Sequence, residues 1–466
     1  MRKLITRVWT DIAIQFAIIA FGFGMMFSFA VIPWQTPDET AHLQFIGQEI
    51  KNENLANVFM GQLDLDFSRI AHNTDQSVDR TKLKMAMFSS AQYDRKDVLM
   101  RGLSIQAVRH LPAIIGIQLG CLLHLPVYWV LQLGEFTALL FYIFVGYWIL
   151  KIVPYKKRLF ELVMLIPMGL HQAASLNYDA VLLPMCYLFV AYILYLQNKE
   201  RIQWKNILIL VLILGVIFVT KIPYVVLGLL VLTLPFERMY LFWGNKRDCA
   251  LNEKIVRPIL VVMMVAGIGG FLLLYRESFY VRILMACITN PVQTMHLFKA
   301  TLDTFLNHLV TSFVGTFGWL DTFLFNGIPY MFVTFMLFVA MNLDDTSRQT
   351  EGVIKRIGKG TKVCLFSSGI VIVLFVTMSM IAHTFLMIHF GCEDHSIPVD
   401  YQQAIYQIPY IGGLQGRYYL PAALPILLCL PQAIEMEEKK YKILLILVMA
   451  FLFIACVNCL WMRYFA

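Results

Sequence analysis

The chain has 466 residues, of which 59% are hydrophobic and only 15% charged. A soluble domain carries about a quarter charged residues, so this composition excludes a soluble enzyme and indicates an integral membrane protein with many spans. The net charge of +8 is scattered between apolar runs, which makes it a signal of topology rather than of nucleic-acid binding.

A span needs about 20 apolar residues. The first apolar run, residues 12–32, lacks a small-residue cleavage site and reads as an anchor. The chain then turns polar from Trp34 to about Gly102, including Asp64-Leu65-Asp66. Residues 105–125 are apolar but broken by Pro112 and flanked by Arg101, Arg109, His110 and His124, which predicts an interfacial or re-entrant helix. Further spans are expected at 128–151, 159–177, 180–197, 207–220, 223–236, 258–275, 329–343, 363–389, 419–434 and 443–463. The expected fold is all-α. It is one polytopic domain, residues 1–466, of about eleven transmembrane helices. An outer loop at 34–126 contains interfacial helices, and smaller outer loops fall at 276–328 and 391–418. The nine cysteines show no close metal-type spacing, and Cys287 and Cys392 fall on the expected outer face.

Charge orients the chain. With the N-terminus in the cytoplasm and 105–125 not spanning, most lysines and arginines fall inside, among them Arg2, Lys3, Lys156, Arg158, Arg238, Lys355 and Lys439. The remainder lie mostly in the long first loop, where the positive-inside rule has least force. This topology places every unusual polar motif on the outer face.

The first motif is Trp34-Gln35-Thr36-Pro37-Asp38-Glu39-Thr40-Ala41-His42, where the chain leaves the first span. Thr36-Pro37-Asp38-Glu39 reads as a capping box, with Thr36 as N-cap and Glu39 reaching back. It equally reads as chemistry at the membrane surface, with Asp38 free and His42 one turn later on the same face. Near the other end, Arg417 stands in Gln415-Gly416-Arg417-Tyr418-Tyr419. It is either an anchor at the head-group boundary or an arginine fork for a phosphate that Gly416 lets approach the backbone. Lys221, before Pro223 and Tyr224, is either a hairpin turn or a cation for a lipid phosphate. Asn177 and Asp179 suit an N-cap or a site, and Asp321 follows Gly318-Trp319-Leu320 at an interfacial turn. The Asp64/Asp66 spacing can hold a divalent cation but is commonplace in a solvated loop.

Taken together, Pro37-Asp38-Glu39-x-x-His42, Asn177-x-Asp179-Ala180, Lys221-x-Pro223-Tyr224, Gly318-Trp319-Leu320-Asp321 and Gln415-Gly416-Arg417-Tyr418-x-x-Pro421 resemble a bacterial multi-spanning family catalogued as domain of unknown function 2142. That family is in turn similar to the GT-C membrane glycosyltransferases, which use lipid-phosphate sugar donors. The resemblance implies a bacterial cytoplasmic-membrane protein whose site faces outside, with Asp38 catalytic and Glu39 supporting. His42, Asn177, Asp179, Lys221, Tyr224, Asp321, Gln415, Arg417 and Tyr418 would bind substrate. It implies a polyprenyl-phosphate sugar donor in the lipid bilayer, an extracytoplasmic glycan, lipid or protein acceptor, and no nucleic acid. A divalent cation, Mg or Mn, would be compatible with Asp38 and the phosphate but is not required. Two other readings stand beside this one. One is a transporter or flippase of lipid-linked glycans, which needs ionisable residues deep in the spans. The other is a non-catalytic partner in polysaccharide assembly.

Overall fold

The computed structural model describes residues 11–62, 87–88, 93–241, 249–250, 252–342, 357–390 and 408–466. Asp64 and Asp66, Cys392 and most of the 391–418 loop lie outside these residues. Helix α1 (Ile12–Ala30) starts where the Asp11 side chain accepts the Ala13 N–H at 3.0 Å. The stretch after it forms α2 (Glu39–Glu49), α3 (Asn54–Gln62) and the short α4 (Arg95–Val98). A 3-10 turn, Ile105–Arg109, leads into α5 (Leu111–Leu122), whose Pro112 lies in the first turn where no N–H is needed. At about 1.5 Å per residue α5 is roughly 18 Å long, against a hydrocarbon core of about 30 Å. It packs closely on α6 (Val127–Ile152): a Cβ on Gly116 would stand 2.2 Å from the Leu133 carbonyl oxygen.

The run at 159–177 is two half-helices, α7 (Lys157–Met164) and α8 (Pro167–Ala173). Pro167 donates no hydrogen bond and holds Ile166 in extended backbone, ψ 123°, which ends α7. Next come α9 (Asp179–Gln197) and α10 (Trp204–Thr220). The run at 223–236 is a 3-10 helix over Ile222–Thr233, which at about 2.0 Å per residue extends roughly 24 Å. Beyond it are α11 (Glu253–Leu274), α12 (Phe279–Thr289) and α13 (Pro291–Val314), so much of the segment expected as a loop at 276–328 is helical. A small hairpin pairs β4 (Thr316–Phe317) with β5 (Thr322–Phe323). A second minor sheet joins β1 (Ile202–Gln203), β2 (Met239–Leu241) and β3 (Cys249–Ala250). The chain closes with α14 (Gly327–Ala340), α15 (Lys359–Phe390), a 3-10 turn at Gly416–Tyr419, α16 (Leu420–Leu427) and α17 (Glu438–Tyr464).

Among the described residues six helices, α1, α6, α9, α11, α15 and α17, are long and apolar enough to cross a membrane, and five more are shorter and apolar. The chain is thus an all-α polytopic membrane protein, although several of its expected spans are short or broken. Side-chain contacts identify the two ends of the bundle. At one end Lys151 pairs with Asp11 at 2.5 Å, Lys156 donates to the Ala340 carbonyl, and Tyr441 donates to Glu161 at 3.2 Å. At the other end meet the close of α1, the starts of α6 and α9, and the closes of α10, α13 and α17. The candidate residues gather there.

Candidate functional site

Asp38 and Arg417 are 379 residues apart in sequence, yet Arg417 Nη2 donates to Asp38 Oδ2 at 3.2 Å. The arginine side chain is only 2% exposed and the aspartate 61%, so the pair has a buried positive end and an open negative end. Two features aim Asp38. Helix α2 begins at Glu39, one residue on, and Asp38 takes a left-handed conformation, φ 64°. That conformation is uncommon outside glycine but tolerated by aspartate. The expected capping box is therefore only half formed. Thr36 is not the N-cap, and Asp38, which is, makes no side-chain cap bond. Glu39 does reach back, accepting the Trp34 N–H at 2.7 Å and a bond from the Thr36 backbone.

Arg417 is held from a second side by Gln172 Oε1, which accepts from Nη1 at 3.0 Å and from Asn177 Nδ2 at 2.9 Å. Asn177 Oδ1 in turn accepts the N–H of Asp179, the first residue of α9, at 3.0 Å, while Tyr178 is the N-cap. Asn177 thus bonds both to the start of α9 and, through Gln172, to the group that holds Arg417. Gly416 does not open the backbone toward a ligand. Its missing side chain admits helix α13 instead: a Cβ there would stand 2.0 Å from the Leu309 oxygen and 2.4 Å from the Phe313 nitrogen. The Gly416 N–H donates to Ser312 Oγ at 2.8 Å, which locks Arg417 in place.

Lys221 caps the end of α10 and lies over three rings: Tyr418 at 4.8 Å, Tyr178 at 5.7 Å and Tyr224 at 5.8 Å. Tyr224 donates its hydroxyl to the Tyr418 carbonyl at 2.8 Å, which fixes the cage. Among the described residues no carboxylate lies within ion-pair distance of Lys221. Arg417 also faces the Tyr418 ring, at 5.3 Å. Two cations and one exposed carboxylate therefore share this end of the bundle. Several buried polar atoms here find no partner among the described residues: Arg417 Nε, Gln415 Oε1, His171 Nε2 and both polar atoms of the Gln35 amide. Such atoms are rare in folded proteins and call for water or a ligand.

His42 stacks edge-to-face on Tyr178 at 4.8 Å and contacts His110 at 3.0 Å. Burial, and then the positive charges about it, hold its imidazole far below the ordinary range, at about 2. Asp321 is placed differently. It accepts from Arg463 Nε at 3.0 Å and Nη2 at 2.9 Å, and so ties the β4–β5 turn to the end of α17. That turn reaches the site through Trp319, whose indole N–H donates to the Trp34 carbonyl at 2.7 Å. Gly318, φ 60°, makes the turn possible, since a side chain there would meet Tyr464 and Asp321.

The sequence reading gave no site role to Gln172, His110, Glu49, Arg109 or Glu135. Glu135 is an ionisable residue inside a span rather than at its end. It is buried about two turns into α6, bonded to Ser28 at 2.9 Å, Gln132 at 3.2 Å and the carboxyl of Glu39. Two carboxyls bonded to each other must share a proton. Burial pushes Glu39 up to about 7, while the amides of Trp34, Thr36 and Leu176 pull it down. Among the described residues no three His, Cys, Asp or Glu side chains are grouped to hold a metal.

No curated protein matches this chain, and no solved structure does. The model of one family, described as predicted membrane protein, matches residues 21–430, and the chain accordingly belongs to that family, DUF2142.

Proposed function

We propose that this protein transfers a sugar from a polyprenyl-phosphate carrier to a hydroxyl-bearing acceptor at the outer surface of the bacterial cytoplasmic membrane. The observation that carries this reading is the joined Asp38–Arg417–Lys221 group. It combines an open carboxylate, a buried guanidinium and a caged ammonium at one end of an apolar bundle. A sugar on a polyprenyl phosphate cannot cross hydrocarbon, so its chemistry belongs at such an end. The leaving phosphate gathers negative charge, which Arg417 and Lys221 stabilise where water is scarce. Asp38 accepts the proton of the attacking hydroxyl as the new glycosidic bond forms. Glu39 anchors the loop that presents Asp38, and Asp321, tied to Arg463, supports that loop from α17. The basic residues at the opposite end favour its placement in the cytoplasm.

A second reading has one specific observation in its favour. The Glu39–Glu135 pair, with Ser28 and Gln132, lies inside the bundle, as proton-linked movement of a lipid-linked glycan would require. Proteoliposomes carrying a radiolabelled sugar-phosphoryl-polyprenol and a panel of glycan acceptors separate the two. Formation of a new glycosidic bond supports transfer. Movement of the intact donor between leaflets without bond formation refutes it in favour of transport.

A further inference from the structure

Helix α2 carries a second group that the proposed reaction does not use. His42 Nδ1 lies 3.0 Å from His110 Nε2, and His110 Nδ1 lies 2.8 Å from Glu49 Oε2. Arg109 Nε holds the other oxygen of Glu49 at 2.6 Å. His42, His110 and Glu49 are all buried. His42 and Glu49 stand at positions i and i+7 of α2, on one face two turns apart, and the turn before α5 lays His110 between them.

These bonds fix both rings. A carboxylate gripped by an arginine offers only lone pairs, so His110 donates from Nδ1. A neutral His110 then has its lone pair on Nε2, so His42 donates from Nδ1. The lone pair of His42 is left on Nε2, across the ring from His110. Burial, helped by the charges of Arg417, Arg109 and Lys221, keeps His42 neutral, and burial keeps His110 neutral against the pull of Glu49. A neutral ring cannot ion-pair with a phosphate. It can accept a hydrogen bond. Its place is beside the cations, against the same Tyr178 ring that Lys221 covers.

We infer that His42 receives the acceptor molecule: its Nε2 accepts a hydrogen bond from a hydroxyl of the acceptor other than the one that attacks the sugar, whose proton goes to Asp38, with His110 and Glu49 as positioning residues that hold the tautomer. The hydroxyl assignment rests on the transferase reading, and it divides the site. Arg417 and Lys221 take the phosphate end, and His42 takes the neutral acceptor. The opposite tautomer would present an N–H, from which the hydroxyl could only accept.

The test has two arms. Nitrogen-15 spectra of histidine-labelled protein in nanodiscs read the tautomer, with the His42 signal assigned by its loss in His42→Phe. The expected result is a neutral ring protonated on Nδ1 at pH 7, shifting to a mixed or reversed tautomer in Glu49→Leu and returning in Glu49→Asp. A proton on Nε2 in the wild type, or a charged ring, overturns the assignment whatever the enzyme does. The second arm uses glucosyl-phosphoryl-polyprenol as donor probe and an alkyl glucoside as acceptor probe. His42→Phe is expected to raise KM for the acceptor at least tenfold and to leave KM for the donor unchanged; a rise confined to the donor refutes the division of the site. If the wild type transfers sugar to no hydroxyl acceptor, the transferase reading fails and the hydroxyl goes with it, while the spectrum still decides the tautomer.

Discussion

Asp38→Asn separates a residue that caps a helix from one that does chemistry. Three features limit the cost to the fold. The Asp38 side chain bonds to no helix N–H. Its left-handed backbone, φ 64°, suits asparagine as well as aspartate. Its side chain is 61% exposed, so its pairing with Arg417 is screened by solvent, and exposed pairs contribute about 0.2–1 kcal/mol. Arg417 keeps its bond to Gln172 at 3.0 Å, and the asparagine oxygen can still accept from it. The expected loss of stability is therefore under about 1 kcal/mol. Loss of a general base slows reactions by about 10²–10⁴, or roughly 3–5 kcal/mol of barrier. Initial rates of sugar transfer and thermal unfolding, measured on the same nanodisc preparations, read both quantities. An unchanged rate removes Asp38 from the mechanism. A melting temperature that collapses along with the rate assigns Asp38 to structure instead.

Gly416→Ala tests the docking of the Arg417 turn on α13. Its Cβ would meet two backbone atoms at 2.0 and 2.4 Å, and neither can rotate away. The expected cost is about 1–3 kcal/mol or more together with loss of transfer; a variant with normal melting and full activity would show that the turn does not pack there. Glu39 gives a pH signature. Its folded-state value of about 7 lies above the ordinary 4.5 because of burial, so its contribution is fully present below about 4.5 and is lost as pH rises through 7. Unfolding free energy should fall between about pH 4.5 and 7 by an amount on the order of 1–3 kcal/mol, with melting temperature falling alongside it, and Glu39→Gln should flatten that slope; an equal slope in the variant places the titration elsewhere. Asp321→Asn weakens a largely buried ion pair with Arg463. It should lower stability by up to about 3–5 kcal/mol with donor KM unchanged at permissive temperature, and a donor KM that rises without loss of stability would return Asp321 to the binding site.

Hydropathy made the fold class legible, because a bilayer demands long apolar helices wherever the chain crosses it. It made Asp38, Lys221 and Arg417 legible for the same reason: a charge at the edge of an apolar run stands out. The misses have the opposite cause. Glu49, Arg109 and His110 lie in or beside a polar stretch where charges are ordinary, and only the fold of α2 against the turn before α5 joins them. Gln172 is uncharged and scarcely dents the hydropathy of its run, although a polar cluster from His171 to Asn177 was a signal available to be read. Gly416 shows a different limit. Sequence can reveal that a side chain is missing, but not whether a ligand or a neighbouring helix fills the space.

The broken run at 159–177 shows how contacts and sequence together resolve what neither does alone. Helix α6 starts at the site end, where Gln132 bonds to Ser28, and finishes at the opposite end, where Lys151 bonds to Asp11. The chain is back at the site by Gln172, which holds Arg417. It therefore traverses the bundle between Lys156 and Gln172 with two half-helices in place of one continuous span. Residues 157–173 rise roughly 26 Å at about 1.5 Å per residue, close to the hydrocarbon thickness of about 30 Å. From there α9 leaves the site end and α10 returns to it, which delivers Lys221 beside Tyr178. Had the half-helices failed to cross, Asn177 and Lys221 would both stand at the end opposite Asp38. The Arg417–Asp38 bond is thus a consequence of an even number of crossings as well as of local chemistry. The break at Pro167 preserves that parity and leaves Gln172, in the second half-helix, free to grip the guanidinium.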